Sequence, residues 1–151
     1  MPATDVIYAV RSANIPNEDE FEAWAQVTLA AHHPEAELNI KIVDEQESQE
    51  LNHQYRGMDK PTNVLSFPCS LPEGVDIPYI GDIAICADVV EREAVEQNKT
   101  PKSHWAHMLV HAILHLLGYD HIDDAQAEEM ESLETKIMLD LGFAAPYECS
   151  E

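Results

Sequence analysis

Basic residues are scarce: Lys and Arg number 8 against 29 Asp and Glu in 151 residues, a formal net charge of −21 with histidine neutral. Nonspecific coating of nucleic acid or of an anionic membrane rests on Lys and Arg displacing counterions from phosphates, so that class of protein is excluded and any nucleic-acid contact has to be local. Cysteine is equally rare. Cys69, Cys86 and Cys149 are odd in number and form no Cys-x-x-Cys pair, which excludes a disulfide framework and fits reduced thiols in a cytoplasmic protein. Long hydrophobic runs are missing too: no stretch of about 18 uncharged apolar residues occurs, and the nearest candidate is broken by histidines. Met1 to Val10 lacks the basic segment and apolar run of a secretory signal. With no internal repeat, low-complexity tract or long linker, and 45% apolar residues, residues 1–151 are expected to form a single domain. At this size it buries roughly 68–70% of its unfolded-chain surface.

The pattern of apolar residues predicts the elements. Val6, Ile7, Tyr8 and Val10 favour a strand over Asp5 to Val10. Pro16 and Asn17 open a helix in which Phe21, Trp24, Val27 and Ala31 form an apolar stripe, with Glu18, Asp19 and Glu20 in the first turn, where the helix dipole favours acids. Leu38, Ile40 and Ile42 alternate with Asn39 and Lys41 as a half-buried strand to Val43, and a second helix follows from Asp44 to about Tyr55. Val64 to Pro68 and Tyr79 to Cys86 read as partner strands across a Pro- and Gly-containing loop. Three helices complete the chain. The first spans about Ala87 to Asn98; the second starts with Thr100 as cap and Pro101 in the first turn and stops near Gly118. The third runs from about Asp123 to Leu141 on a stripe of Ala127, Met130, Leu133, Ile137 and Leu141. Strands in the first half and helices in the second predict an α+β fold with a small mixed β-sheet.

Five of the eight histidines fall between His104 and His121. At about 100° per residue, His104, His107, His111 and His115 form one narrow stripe on a helix that Trp105, Met108, Leu109, Ile113 and Leu116 make apolar elsewhere. His111 and His115 are four apart, so their Cβ atoms stand about 5–6 Å from each other, close enough for two imidazoles to meet one zinc ion at about 2.0–2.1 Å. Gly118 can take the left-handed conformation that reverses the chain, returning His121 as a third nitrogen. Three protein ligands leave one position open, which is the arrangement of a catalytic zinc rather than a structural one. His107 could pair with His111 at the same spacing, but the glycine and third histidine are placed for His111 and His115. That leaves His104 and His107 as residues behind the ligands, as substrate contacts, or as ordinary helix-surface histidines.

The same spacing with glutamate after the first histidine is the extended metzincin protease motif, in which that glutamate is the general base. Here the position is Ala112, which cannot take a proton. Zinc would still lower the pKa of a coordinated water from about 9 toward about 7. Phosphodiester cleavage suits such a site, because a metal ion and an arginine can stabilise the charge that accumulates.

The sequence also resembles a known family, the YbeY-type endoribonucleases, which are bacterial rRNA maturation factors. The resemblance rests on Tyr55-Arg56-Gly57-Met58-Asp59-Lys60-Pro61-Thr62-Asn63-Val64-Leu65-Ser66-Phe67-Pro68, on Gly81-Asp82-Ile83-Ala84-Ile85-Cys86, and on His111 to His121 with its Leu116-Leu117-Gly118-Tyr119-Asp120-His121 ending. It covers residues 50 to 142 well, and departs from the family pattern at Ala112, where glycine is usual. It implies a single-strand-specific endoribonuclease with one zinc per chain held by His111, His115 and His121, acting with the ribosome in 16S rRNA 3′-end maturation and ribosome quality control. It also implies that Arg56 is the functional arginine, and a guanidinium that grips two phosphate oxygens fits that role.

The acidic balance has to be reconciled with RNA. Seven of the fifteen residues from Asp120 to Glu134 are acidic and none is basic, which predicts a solvated outer face on the last helix, turned away from RNA. Arg56, Lys60, Lys99 and Lys102 flank the motif blocks, predicting a small positive cleft on a negative body. Asp82 is a candidate to orient a ligand histidine, or else a strand-end hydrogen-bonding residue, and Asp120 is read the same way. Thr62, Asn63 and Ser66 are expected to fix the position of Arg56. Two other functions compete: a metalloprotease-like hydrolase with its base brought by Asp82 or Asp120, and a noncatalytic ribosome-associated zinc-binding factor whose site is closed by Cys69 or Cys86. Three imidazoles also admit nickel or copper.

Overall fold

Strand and helix alternate through the first half of the chain before three helices close it, in a computed structural model that describes residues 4–10, 15–30, 34–68, 79–119 and 123–143. The elements are β1 (Thr4–Tyr8), α1 (Glu18–Leu29), β2 (Glu37–Val43), α2 (Glu45–Arg56), β3 (Val64–Pro68), β4 (Tyr79–Cys86), α3 (Ala87–Glu96), α4 (Pro101–Leu116) and α5 (Asp124–Asp140). The helix starts are set by side chains: Asn17, Asp44, Thr100 and Asp123 each accept a hydrogen bond from a backbone N–H in the first turn of α1, α2, α4 and α5. Asn17 and Glu20 complete a reciprocal capping box.

The sheet is mixed, as the order of elements predicts. Its strands lie in the order β1-β2-β4-β3, with β1 parallel to β2, β2 parallel to β4, and β3 antiparallel to β4. Ile40 stands beside Ile83 and Ile42 beside Ile85 in the parallel register. These side chains share one core with Phe21, Leu29, Trp105, Leu109, Ile113 and Met138 from the helices. Each such fully buried side chain contributes about 1.5–3 kcal/mol relative to exposure. Phe21 packs edge-on against both Trp24 and Trp105, with ring centroids 5.9 Å and 6.1 Å away.

Helix α4 is central, touching α1, α3, α5, β3 and β4. Every residue from His104 to Val110 is buried, so its histidine stripe is directed at other elements rather than at solvent. Gly81 lets β3 and the end of α4 close over β4. Its φ is +151°, and a Cβ there would stand 2.5 Å from the Phe67 carbonyl oxygen and 2.8 Å from Leu116 Cδ2.

Candidate functional site

The stripe on α4 runs from the interior to the surface. His104 and His107 are 1% and 6% exposed, whereas His111 and His115 are half-buried. Thr100 and Pro101 fix the start of the helix. At the outer end Gly118, with φ +103°, turns the chain as its sequence position predicts.

Two carboxylates from neighbouring helices serve the stripe. Glu93 of α3 lies 2.9 Å from His104 Nε2 and accepts a 3.1 Å hydrogen bond from Asn63 Nδ2. Burial works to raise the Glu93 pKa, but the hydrogen bonds from His104 and Asn63 together outweigh it and hold the carboxyl below its ordinary value. Glu134 of α5 is fully buried. Its Oε1 accepts from His111 Nδ1 at 2.6 Å and lies 3.3 Å from His107 Nε2. Burial pushes the His107 imidazole below its ordinary pKa, against the pull of Glu134, so the ring is neutral at neutral pH. Lys99, half-buried just ahead of α4, is drawn by both Glu93 and Glu134 while burial lowers its pKa.

His111 and His115 meet through their other nitrogens. With Nδ1 of His111 donating to Glu134, Nε2 is the ring nitrogen left to meet a ligand, and that atom faces His115 Nε2 at 3.1 Å. Two nitrogens bound to one tetrahedral ion at about 2.0–2.1 Å stand about 3.3 Å apart. The donor pair therefore fits a zinc ion with a shift of a few tenths of an ångström. His121 and Asp120, like Cys69 and Cys149, lie outside the described residues. Among the described residues no group of three or more His, Cys, Asp or Glu forms a metal cluster.

Arg56 is the last residue of α2 and is exposed. Gly57 caps the helix after it in the left-handed conformation, its N–H donating to the His53 carbonyl at 3.0 Å. The loop that follows is folded back on α2: Asn52 Nδ2 donates to the Lys60 carbonyl at 2.9 Å, and Ser48 Oγ both donates to the Thr62 carbonyl and accepts from its N–H, each at 2.9 Å. Tyr55 packs on Phe67 of β3 with centroids 4.6 Å apart, and Ser66 Oγ donates to the Ala112 carbonyl at 3.1 Å. Thus Thr62 and Asn63 hold the Arg56 loop, and Ser66 ties β3 to α4 between the two outer histidines.

Four readings of the sequence need correction. Asp82 is exposed on the face of β4 opposite Ile83, where it accepts from Asn39 Nδ2 at 3.0 Å and from the Tyr79 hydroxyl. The pleat that buries Ile83 and Ile85 turns Asp82 away from α4, so Glu134 takes the place beside a histidine that Asp82 was a candidate for. Glu134 in turn does not belong to the solvated acidic face, although Asp123, Asp124, Glu128, Glu129 and Glu131 are exposed as expected. Of the alternatives for His104 and His107, the helix-surface one falls, since both are interior. The signal for Glu134 was its spacing: four residues after Met130 and three before Ile137, it sits in the buried stripe of α5. Cys86, proposed as a closing ligand, packs with Val43 and Val89.

A model of one protein family matches residues 8–142 of the chain, under the description Endoribonuclease YbeY. The chain belongs to the YbeY endoribonuclease family. Membership supports an endoribonuclease role in rRNA maturation, with RNA as substrate. The fold is also similar to the solution structure of TM1509 from Thermotoga maritima, with 29% identity, a TM-score of 0.66, and coverage of 91% of this chain and 88% of that one. Among the described residues no helix is long and apolar enough to cross a membrane.

Proposed function

We propose that the chain is a zinc-dependent, single-strand-specific endoribonuclease in which His111, His115 and His121 hold one ion per chain and Arg56 grips the scissile phosphate. The observation that carries this reading is the convergence of His111 Nε2 and His115 Nε2 to 3.1 Å at the half-exposed end of a helix that is buried from His104 to Val110. When bound, the ion supplies a Lewis acid that polarises a phosphate oxygen and lowers the pKa of water.

The chain's own residues do the rest. Arg56 stays charged at any working pH and presents a planar fork to two phosphate oxygens, placing the phosphodiester and stabilising the charge that develops on it. Its loop is held by Ser48, Asn52 and Asn63, so little ordering remains to be done on binding. Ala112 offers no carboxylate and Asp82 points to the opposite face of the sheet, so neither supplies the base that peptide hydrolysis needs, which favours phosphodiester chemistry. Arg56 and Lys60 are exposed, while Lys102 is paired with Glu20 at 2.8 Å, so RNA contact is confined to a small cationic area. On a body of charge −21 that favours delivery by the ribosome in the cytoplasm, for 16S rRNA 3′-end maturation and ribosome quality control.

Paired substitutions test the reading. Arg56→Ala should abolish cleavage of single-stranded RNA and leave zinc content unchanged, whereas His115→Ala should remove both. Cleavage retained in Arg56→Ala would remove the arginine from the mechanism.

A further inference from the structure

We infer that Glu134 is a positioning residue for the metal centre: its carboxylate, delivered from α5, selects the tautomer and the ring orientation of His111 and thereby aims the His111 Nε2 lone pair at the point it shares with His115. The inference rests on the proposed metal reading for its purpose, and on geometry for its existence. An isolated neutral imidazole prefers its hydrogen on Nε2, the nitrogen that a ligand must leave bare. The 2.6 Å contact between His111 Nδ1 and Glu134 Oε1 reverses that preference, because a carboxylate only accepts.

The surroundings of Glu134 agree with this purpose better than with a stabilising one. It is 0% exposed and shares the buried stripe of α5 with Met130, Ile137 and Met138, where an ionised group carries a desolvation cost that an apolar side chain would not. The same Oε1 reaches His107 Nε2 at 3.3 Å, and Lys99 supplies a compensating positive charge nearby. One buried carboxylate therefore bonds the outer histidine and stands beside the inner one. The inner one, His107, lies behind the outer one, buried beside the carboxylate.

The test compares wild type, Glu134→Gln and Glu134→Leu as full-length, untagged protein stripped of metal. Long-range proton–nitrogen NMR at about pH 8, above the ordinary imidazole range, should find the His111 hydrogen on Nδ1 in wild type and on Nε2 in Glu134→Leu. Zinc affinity, read by competition with a chromophoric chelator, should fall by about 10–100-fold in Glu134→Leu. Glu134→Gln, which keeps an oxygen acceptor, should recover part of the loss. The metal-free Leu variant should melt below wild type, because His111 loses its buried acceptor, while an unchanged far-ultraviolet circular dichroism spectrum and a cooperative melt show that the fold is intact. An unchanged His111 tautomer together with unchanged zinc affinity in the Leu variant would overturn the inference. If wild type binds no zinc, the metal reading fails on its own, and the tautomer measurement still decides whether Glu134 sets His111.

Discussion

His111 and His115 face each other across one turn of α4 with their Nε2 atoms 3.1 Å apart. An i, i+4 pair brings two side chains to the same face, but the convergence of these particular atoms comes from outside the helix. Glu134 turns the His111 ring so that Nε2 points along the stripe, and Ser66, bonded to the Ala112 carbonyl, ties β3 to the backbone between them.

Removing either outer histidine should separate metal binding from folding. His115 is half-buried at the end of α4, so His115→Ala should change the stability of the metal-free protein by no more than about 1 kcal/mol while abolishing stoichiometric zinc binding. Thermal melts with and without added zinc check this: wild type should gain melting temperature with zinc and the variant should not.

The Glu93 network should show itself in the pH dependence of stability. The folded pKa of Glu93 lies below its ordinary value of 4.5, so the ionised group stabilises the fold at pH values above that value. The contribution is lost as pH falls through the lower, folded pKa. Glu93→Gln should therefore lower stability at neutral pH by about 1 kcal/mol, equivalent to about 2–4 °C in melting temperature. The gap should close in acid, below the ordinary carboxylate range. A gap that persists unchanged there would mean that the charge of Glu93 contributes nothing.

Gly81 should resist substitution. With φ at +151° and a Cβ position 2.5 Å from the Phe67 carbonyl oxygen, Gly81→Ala should cost about 2–3 kcal/mol, or roughly 5–10 °C. Because Leu116 is the other atom in the way, the variant should also weaken zinc binding through its neighbour His115. Denaturation together with a zinc titration measures both.

Binding of single-stranded RNA should depend only mildly on salt. If Arg56 and Lys60 neutralise about two phosphates, the slope of log K against log salt should be about −1.4. A slope steeper than about −3 would require a cationic surface beyond these two exposed residues.

Much of this architecture was legible because each element carries its own local signal. The caps Asn17, Asp44, Thr100 and Asp123 and the apolar stripes between them place the helices with ends moved by one or two residues. The His111 and His115 pair is likewise visible as spacing alone. Glu134 was hidden by its company: in a run of acids its charge suggested solvent, although its position between Met130 and Ile137 put it in the buried stripe. Asp82 depended on tertiary pairing, since only the register of Asn39 against Asp82 shows that both occupy the solvent face of the sheet. The link from Asn63 through Glu93 to His104 joins residues far apart in the chain, and no local pattern announces it.

The central claim is tested most directly by elemental analysis of untagged wild type and His111→Ala, run beside cleavage of a single-stranded RNA. About one zinc per chain in wild type, lost together with cleavage in the variant, is the predicted result. Wild type that holds no metal, and leaves the RNA intact even after zinc is added, would contradict it.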